Sequence, residues 1–177
     1  MNLLRALPLL LLLPMPAFSA GSISGNISPL EATFAVTLTI TASCTLTTND
    51  LAFGTHAGAI GADIPGQANI VVNCTNATPY TVGLNNGTGT GATAASRKMT
   101  HTNGTDTVIY SLYTTVGHGT VWDNNCGTPP SPSATCASGT GSGSDQTITV
   151  YGLVPTAGQN PVTVGNYSDT VTATLTF

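Results

Sequence analysis

The chain has 177 residues, and only 6% of them are charged, with 3 Lys and Arg against 7 Asp and Glu, where a soluble domain usually carries about a quarter. Polyanion binders neutralise phosphates with basic side chains, and beyond Arg5 near the start this chain offers only Arg97 and Lys98, so nucleic acid is excluded as a partner. Apolar residues make up 41%, enough for a core in one domain, while the prevalence of Thr, the 20 Gly and 11 Pro, and the near absence of Lys, Arg and Glu point to strands and turns rather than helices.

The first predicted element is a leader. Met1 to Arg5 gives a short positive start, Leu3 to Leu13 an apolar stretch, Pro14 and Pro16 a break, and Ala17-Phe18-Ser19 the small residues that a signal peptidase reads. Residues 1–19 are therefore expected to be a signal peptide cleaved after Ser19, with cleavage after Ala20 ranking second. A membrane anchor needs about twenty apolar residues, and this run is about half that. The mature chain is expected to be exported and to carry no transmembrane segment.

From Phe34 onward the even positions Phe34, Val36, Leu38, Ile40, Ala42, Cys44 and Leu46 are apolar, while Thr or Ser holds nearly every odd one. Period two predicts a strand, here Thr33 to Leu46. Further strands are predicted at Ala68 to Cys74, Tyr80 to Leu84, Val108 to Tyr113, Gln146 to Leu153 and Tyr167 to Phe177, the last placing Val171, Ala173, Leu175 and Phe177 on one face. Turns fall at Asn86-Gly87 and Asn103-Gly104 and in the Gly- and Pro-rich stretches 117–145 and 155–166. Strands without helical periods between them predict an all-β, antiparallel, immunoglobulin-like sandwich in a single domain.

Cys44, Cys74, Cys126 and Cys136 allow three pairings. In an exported chain an even count reads as disulfides, and no pair has the C-x2-4-C spacing of a zinc site. The expected bonds are Cys44 with Cys74 and Cys126 with Cys136, because the latter two bracket a Pro-rich loop, Gly127 to Thr135, that a local bridge closes.

Two features do not suit a closed sandwich. Fourteen residues from Thr33 to Leu46 extend over about 47 Å, longer than one domain's strands usually run, and Ile23, Ile27 and Leu30 lengthen the apolar tract. At the other end, the predicted strand to Phe177 has no following strand to cover its neighbour, which leaves an apolar groove beside an open edge. Excess at one end and deficit at the other suggest exchange of strands between molecules.

The residues that carry this pattern resemble a known family. Phe34-Ala35-Val36 leading to Ala42-Ser43-Cys44-Thr45-Leu46, then Leu51-Ala52-Phe53-Gly54, Ile70-Val71-Val72-Asn73-Cys74-Thr75, Pro79-Tyr80-Thr81-Val82, Tyr110-Ser111-Leu112-Tyr113, Val150-Tyr151-Gly152 and Gly165-Asn166-Tyr167-Ser168-Asp169-Thr170-Val171 through Phe177 look like the spore coat protein U domain, also the subunit fold of archaic chaperone-usher pili. The resemblance covers residues 34–177. It implies an incomplete sandwich lacking its final strand, a periplasmic chaperone that lends a strand, an outer-membrane usher that assembles the fibre, and neighbouring subunits that donate N-terminal strands, in a homo- or hetero-polymer on a Gram-negative cell surface. Residues 20–36 are then the donor segment, with Ile23, Ile27, Leu30, Phe34 and Val36 as inserting side chains, and Val171, Ala173, Leu175 and Phe177 line the acceptor groove. The sequence departs from the family pattern in the extra residues Ala20 to Ser28 and in an insert between Trp122 and Thr147, expected to project from one end of the sandwich.

Catalytic chemistry finds little material. His56, His101 and His118 stand apart in Gly- and Thr-rich loops without metal-ligand spacing, Glu31 is the only Glu, and no G-x-S-x-G elbow occurs. No catalytic residue, metal or cofactor is expected. Asn26, Asn73, Asn76, Asn86, Asn103 and Asn166 satisfy N-x-[ST], incidental in a Thr-rich bacterial chain. Trp122 and Tyr113 could stack on sugars, but packing is the commoner use of such rings. The expected function is a structural pilus subunit that supports adhesion or biofilm formation. Its rivals are a minor or tip subunit that binds a surface through the 123–146 loop, and a self-contained secreted coat or matrix protein.

Overall fold

The computed structural model describes residues 24–26, 28–129, 131–159 and 161–177. The predicted leader, Ile23 and Ile27 lie outside the described residues. The described residues form eleven strands: β1 Cys44–Thr48, β2 Ile64–Cys74, β3 Pro79–Leu84, β4 Arg97–His101, β5 Thr107–Tyr113, β6 Gly127–Thr128, β7 Ser131–Pro132, β8 Ala137–Thr140, β9 Gln146–Val154, β10 Tyr167–Ser168 and β11 Ala173–Thr176. Every pairing is antiparallel. A six-stranded sheet runs β1-β2-β9-β5-β4-β10, a three-stranded sheet runs β11-β3-β8, and β6 and β7 form a separate hairpin.

Alternation explains the main strands. Along β2 the residues Ile70, Val72 and Cys74 are buried while those between them are not, and β9 buries Val150 and Val154 in the same way. Their partners across the core come from β3, where Tyr80, Val82 and Leu84 face the same cluster, joined by Val108 and Leu112 of β5. Burying each such side chain contributes about 1.5–3 kcal/mol. The second face of β3 is covered too. Asn124 and Cys126 of the insert close over Gly83, where a Cβ has no room, and Thr81 is buried with it. Trp122 is fully buried with its Nε1 donating to the Val82 carbonyl at 2.8 Å, so its ring belongs to the core.

The predicted strand at Tyr167 to Phe177 is divided in two. Tyr167 and Ser168 pair with β4 in the larger sheet, the chain then crosses, and Ala173–Thr176 pairs with β3 in the smaller one. The insert does not project freely, because its residues Ala137–Thr140 add β8 to the edge of β3 and the bond Cys126–Cys136 closes the β6-β7 hairpin. A second disulfide joins Cys44 to Cys74, which face each other in the β1-β2 register.

The chain divides into two units, Met1–Ile40 and Thr41–Phe177. Within the first, residues 28–40 carry no strand, and the second begins its first strand only at Cys44. The predicted strand Thr33 to Leu46 is therefore corrected to Cys44–Thr48. Alternation fixes which side chains share a face; a strand also needs a partner for its backbone groups. Ser43 exchanges hydrogen bonds with Thr75, and residues 33–42 join no strand of the described residues.

Candidate functional site

A cleft of about 480 Å³ opens between the inner faces of the two large sheets. Protein interiors seldom hold voids much larger than one water, which occupies about 30 Å³, so this is no packing defect. Its floor is apolar: Ile70 of β2, Val150 of β9, Leu112 of β5 and Leu84 of β3. One wall is Val171 and Ala173, at and before the start of β11. β11 pairs with β3 along one edge, and along its other edge no strand of the described residues joins it.

Another part of the lining is Leu51 and Phe53, on the link between β1 and β2. Their side chains rest on Gly66 and Gly152, which are paired directly across β2 and β9. A Cβ on either glycine would come within 2.9 Å of a Leu51 or Phe53 atom, so the two glycines make the recess that keeps these side chains back. Phe53 also meets the edge of the Tyr110 ring, at 5.9 Å between centroids.

Polar residues line the cleft too, Thr48, Asn49 and Asp50 at the end of β1 and just after it, and Ser168, Asp169 and Thr170 at the end of β10 and just after it. Asp169, on the crossing between β10 and β11, accepts a 2.7 Å hydrogen bond from the Tyr110 hydroxyl on Oδ2, while its Oδ1 accepts from the Thr88 amide at 2.7 Å, the Thr88 hydroxyl at 2.8 Å and the Thr170 amide at 2.7 Å. Partial burial pushes the carboxyl pKa up, but these hydrogen bonds outweigh it and hold the group below its ordinary value. Tyr110 moves the other way, raised by burial first and then by its bond to Asp169.

Of the groove residues read from sequence, Val171 and Ala173 line the cleft, Leu175 is half-buried against the core, and Phe177 is 53% exposed, beyond the end of β11. Of the donor residues, Leu30, Phe34 and Val36 are exposed. The exposed run continues: Phe34, Val36, Leu38 and Ile40 are 86%, 84%, 85% and 75% exposed. Leu38 and Ile40 were legible in the alternation but absent from the donor set, because the pattern assigned them to the domain's own first strand. Leu51, Phe53, Tyr110 and Asp169 were missed as cleft residues. Their signal was the Leu51-Ala52-Phe53-Gly54 motif and the Asp next to a strand end, neither of which says where the chain folds.

The histidines serve their own loops. His56 meets the Phe53 carbonyl at 2.7 Å, His101 takes the Asn103 amide on Nδ1 at 3.0 Å and meets the Val164 carbonyl at 3.2 Å, and His118 packs edge-on to Tyr113. Among the described residues, no three His, Cys, Asp or Glu side chains converge on a point, and no helix is long and apolar enough to cross a membrane.

A model of the spore coat protein U domain matches residues 30–174. Protein U of Myxococcus xanthus is 36% identical over 136 residues, which is 72% of this chain and 71% of that protein. A chain in the crystal structure of the CsuC-CsuE chaperone-tip adhesion subunit pre-assembly complex, from archaic chaperone-usher Csu pili of Acinetobacter baumannii, superposes with a TM-score of 0.54 at 20% identity. That match covers 78% of this chain and 41% of the other. At that identity the likeness is one of fold, an immunoglobulin-like antiparallel sandwich.

Proposed function

The chain belongs to the spore coat protein U domain family, and from that premise we propose that it is a structural subunit of a surface pilus, assembled by donor-strand exchange. A periplasmic chaperone lends the missing strand, an outer-membrane usher directs assembly, and the fibre stands on the surface of a Gram-negative bacterium, where it supports adhesion or biofilm formation. The observation that carries this reading is the unburied run Phe34, Val36, Leu38 and Ile40, in a chain whose cleft lies open beside the edge of β11 that no strand of the described residues joins. Four large apolar side chains at alternate positions, all exposed, are costly in water, at about 1.5–3 kcal/mol each relative to burial. A strand from a second molecule laid along β11 would bury that face in the apolar cleft and satisfy the edge's backbone groups.

This reading shifts the donor tract toward Phe34–Ile40, from the earlier span ending at Val36. Leu30 remains a candidate at its start. The packing of the insert as β8 weighs against a free surface-binding loop, and so favours a structural subunit over a tip subunit.

Replacing Phe34 and Leu38 together with Asp tests the assignment. An unpaired carboxylate buried in an apolar groove costs several kcal/mol, so the double variant is expected to be exported and held by a co-expressed chaperone but to form no fibres in electron micrographs. Fibres of normal yield would overturn the donor assignment. A mature chain that is soluble, monomeric and cooperatively folded without chaperone or partner would favour a self-contained coat protein instead.

A further inference from the structure

Donor-strand exchange, on which this inference rests, raises a question of register. Shifting the incoming strand by one residue turns its Thr face into the cleft, but shifting it by two keeps every apolar side chain inward. Alternation alone therefore does not fix which of Phe34, Val36, Leu38 and Ile40 sits where. The inward-facing series does change at both ends: Ala32 precedes Phe34 and Ala42 follows Ile40. Phe34 to Ile40 form an unbroken block of four large side chains with an alanine on each flank, and Leu30 lies beyond the first alanine.

The cleft has a fixed polar feature against which such a block can be set. Asp169 lines it, and four hydrogen bonds from Tyr110, Thr88 and Thr170 leave its carboxylate no free swing. Gly87, at φ +79°, lets its loop approach so closely that a Cβ there would collide with the Asp169 carboxylate, so the group is backed by main chain as well. Tyr110, which anchors it, is itself buried in the sheet below. We propose that Asp169, positioned by Tyr110 and Thr88, determines the register of the inserted strand: it is a fixed polar stop that tolerates a flanking alanine and rejects a large apolar side chain. A slip of two would press Phe34 or Ile40 onto the carboxylate, stripping its remaining water without offering a hydrogen bond in return. The partner this selects is a strand with an apolar block of the length found in a second copy of this chain.

The test uses the mature chain carrying Phe34→Asp and Leu38→Asp, so that it supplies no donor of its own, refolded with labelled synthetic peptides spanning residues 30–43. Three peptides are compared: the natural sequence, one with Ala32→Leu and one with Ala42→Leu. The natural peptide is expected to dissociate slowly, and at least one lengthened peptide about tenfold faster or more. In a chain with Asp169→Val and Tyr110→Phe, which removes the stop at nearly constant volume and leaves no phenol unpartnered, that lengthened peptide is expected to recover to within about threefold of the natural one. Asp169→Asn, which keeps most of the hydrogen bonds, serves as the second variant and is expected to recover part of the difference. A merely structural role would speed the dissociation of all three peptides alike. Unchanged discrimination in the variants overturns the register proposal while leaving strand exchange intact; failure of the natural peptide to bind at all overturns strand exchange itself.

Discussion

Arg97 buries its guanidinium completely and donates to four main-chain carbonyls, those of Asn85 at 2.9 Å, Ala94 at 2.8 Å, Leu84 at 3.1 Å and Trp122 at 2.7 Å. Burial lowers its pKa, opposed by longer-range attraction from Tyr110, Asp169 and Asp123, yet an arginine stays protonated in proteins. Removing it strands four acceptors and opens a cavity, so Arg97→Leu is expected to cost about 3–5 kcal/mol in denaturant unfolding of the strand-complemented protein. Arg97→Lys should recover only part of this, because a single ammonium cannot reproduce the planar fork. From sequence, Arg97 was simply one of two available cations. That it faces inward depends on β4 pairing with β5, which a Lys-Met-Thr-His run does not announce.

Two more residue-scale outcomes follow from the cleft. Asp169 has a depressed pKa, so the stability it contributes is fully present above the unfolded value, near 3.8, and is lost as pH falls through the lower folded one. Thermal unfolding followed down from pH 5 should show a drop below about pH 4, shallower in Asp169→Asn; an identical profile would mean that other carboxylates, such as Asp63 and Asp106, carry the effect. Gly152→Val should push Leu51 and Phe53 off their recess and into the cleft, reducing peptide uptake more than it reduces stability.

Among elements, those with strict alternation and buried partners were legible: β2, β3, β5, β9 and β11 all fall within or close to their predicted ranges. β8 was not, since Ala-Ser-Gly-Thr has no apolar period and only one β-branched residue, Thr140, and its strand state comes from the free edge of β3 beside it. Residues 33–42 failed in the opposite sense, with alternation broken only at Ala35 and no strand partner among the described residues. The cleft was half legible for the same reason. Its apolar wall at Val171 and Ala173 could be read from period two, while the lining at Leu51 and Phe53 depends on Gly66 and Gly152 meeting across two strands. The disulfides close loops of sequence separation 30 and 10, so by the chain-entropy model replacing Cys44 and Cys74 with Ser should cost about 4 kcal/mol and replacing Cys126 and Cys136 about 3 kcal/mol. Denaturation midpoints of the two double variants check the order.

At the level of the whole molecule, the Thr41–Phe177 unit has a buried core on both sides of β3 but an open cleft and, beside it, an edge of β11 that no strand of the described residues joins. Exposed edges are usually guarded by charge, especially Lys, and this chain has 3 Lys and Arg residues in all, of which Arg97 is buried. Alone, the chain is therefore expected to aggregate. Added residue 30–43 peptide should restore solubility and raise the unfolding temperature in a concentration-dependent way, as ligand linkage requires; a peptide with Phe34 and Leu38 replaced by Asp should do neither.

The bond between Cys44 and Cys74 acquires a mechanical meaning if subunits are joined through Phe34–Ile40. Tension along such a fibre would enter each module through residues 41–43, at the very end of β1, an outermost strand that could be peeled away one hydrogen-bonded rung at a time. The Cys44–Cys74 bridge sits at that point of entry and passes the load covalently to β2, a strand held on both flanks. The fibre's weakest joint is then displaced from within the module to the grip of one module on the next.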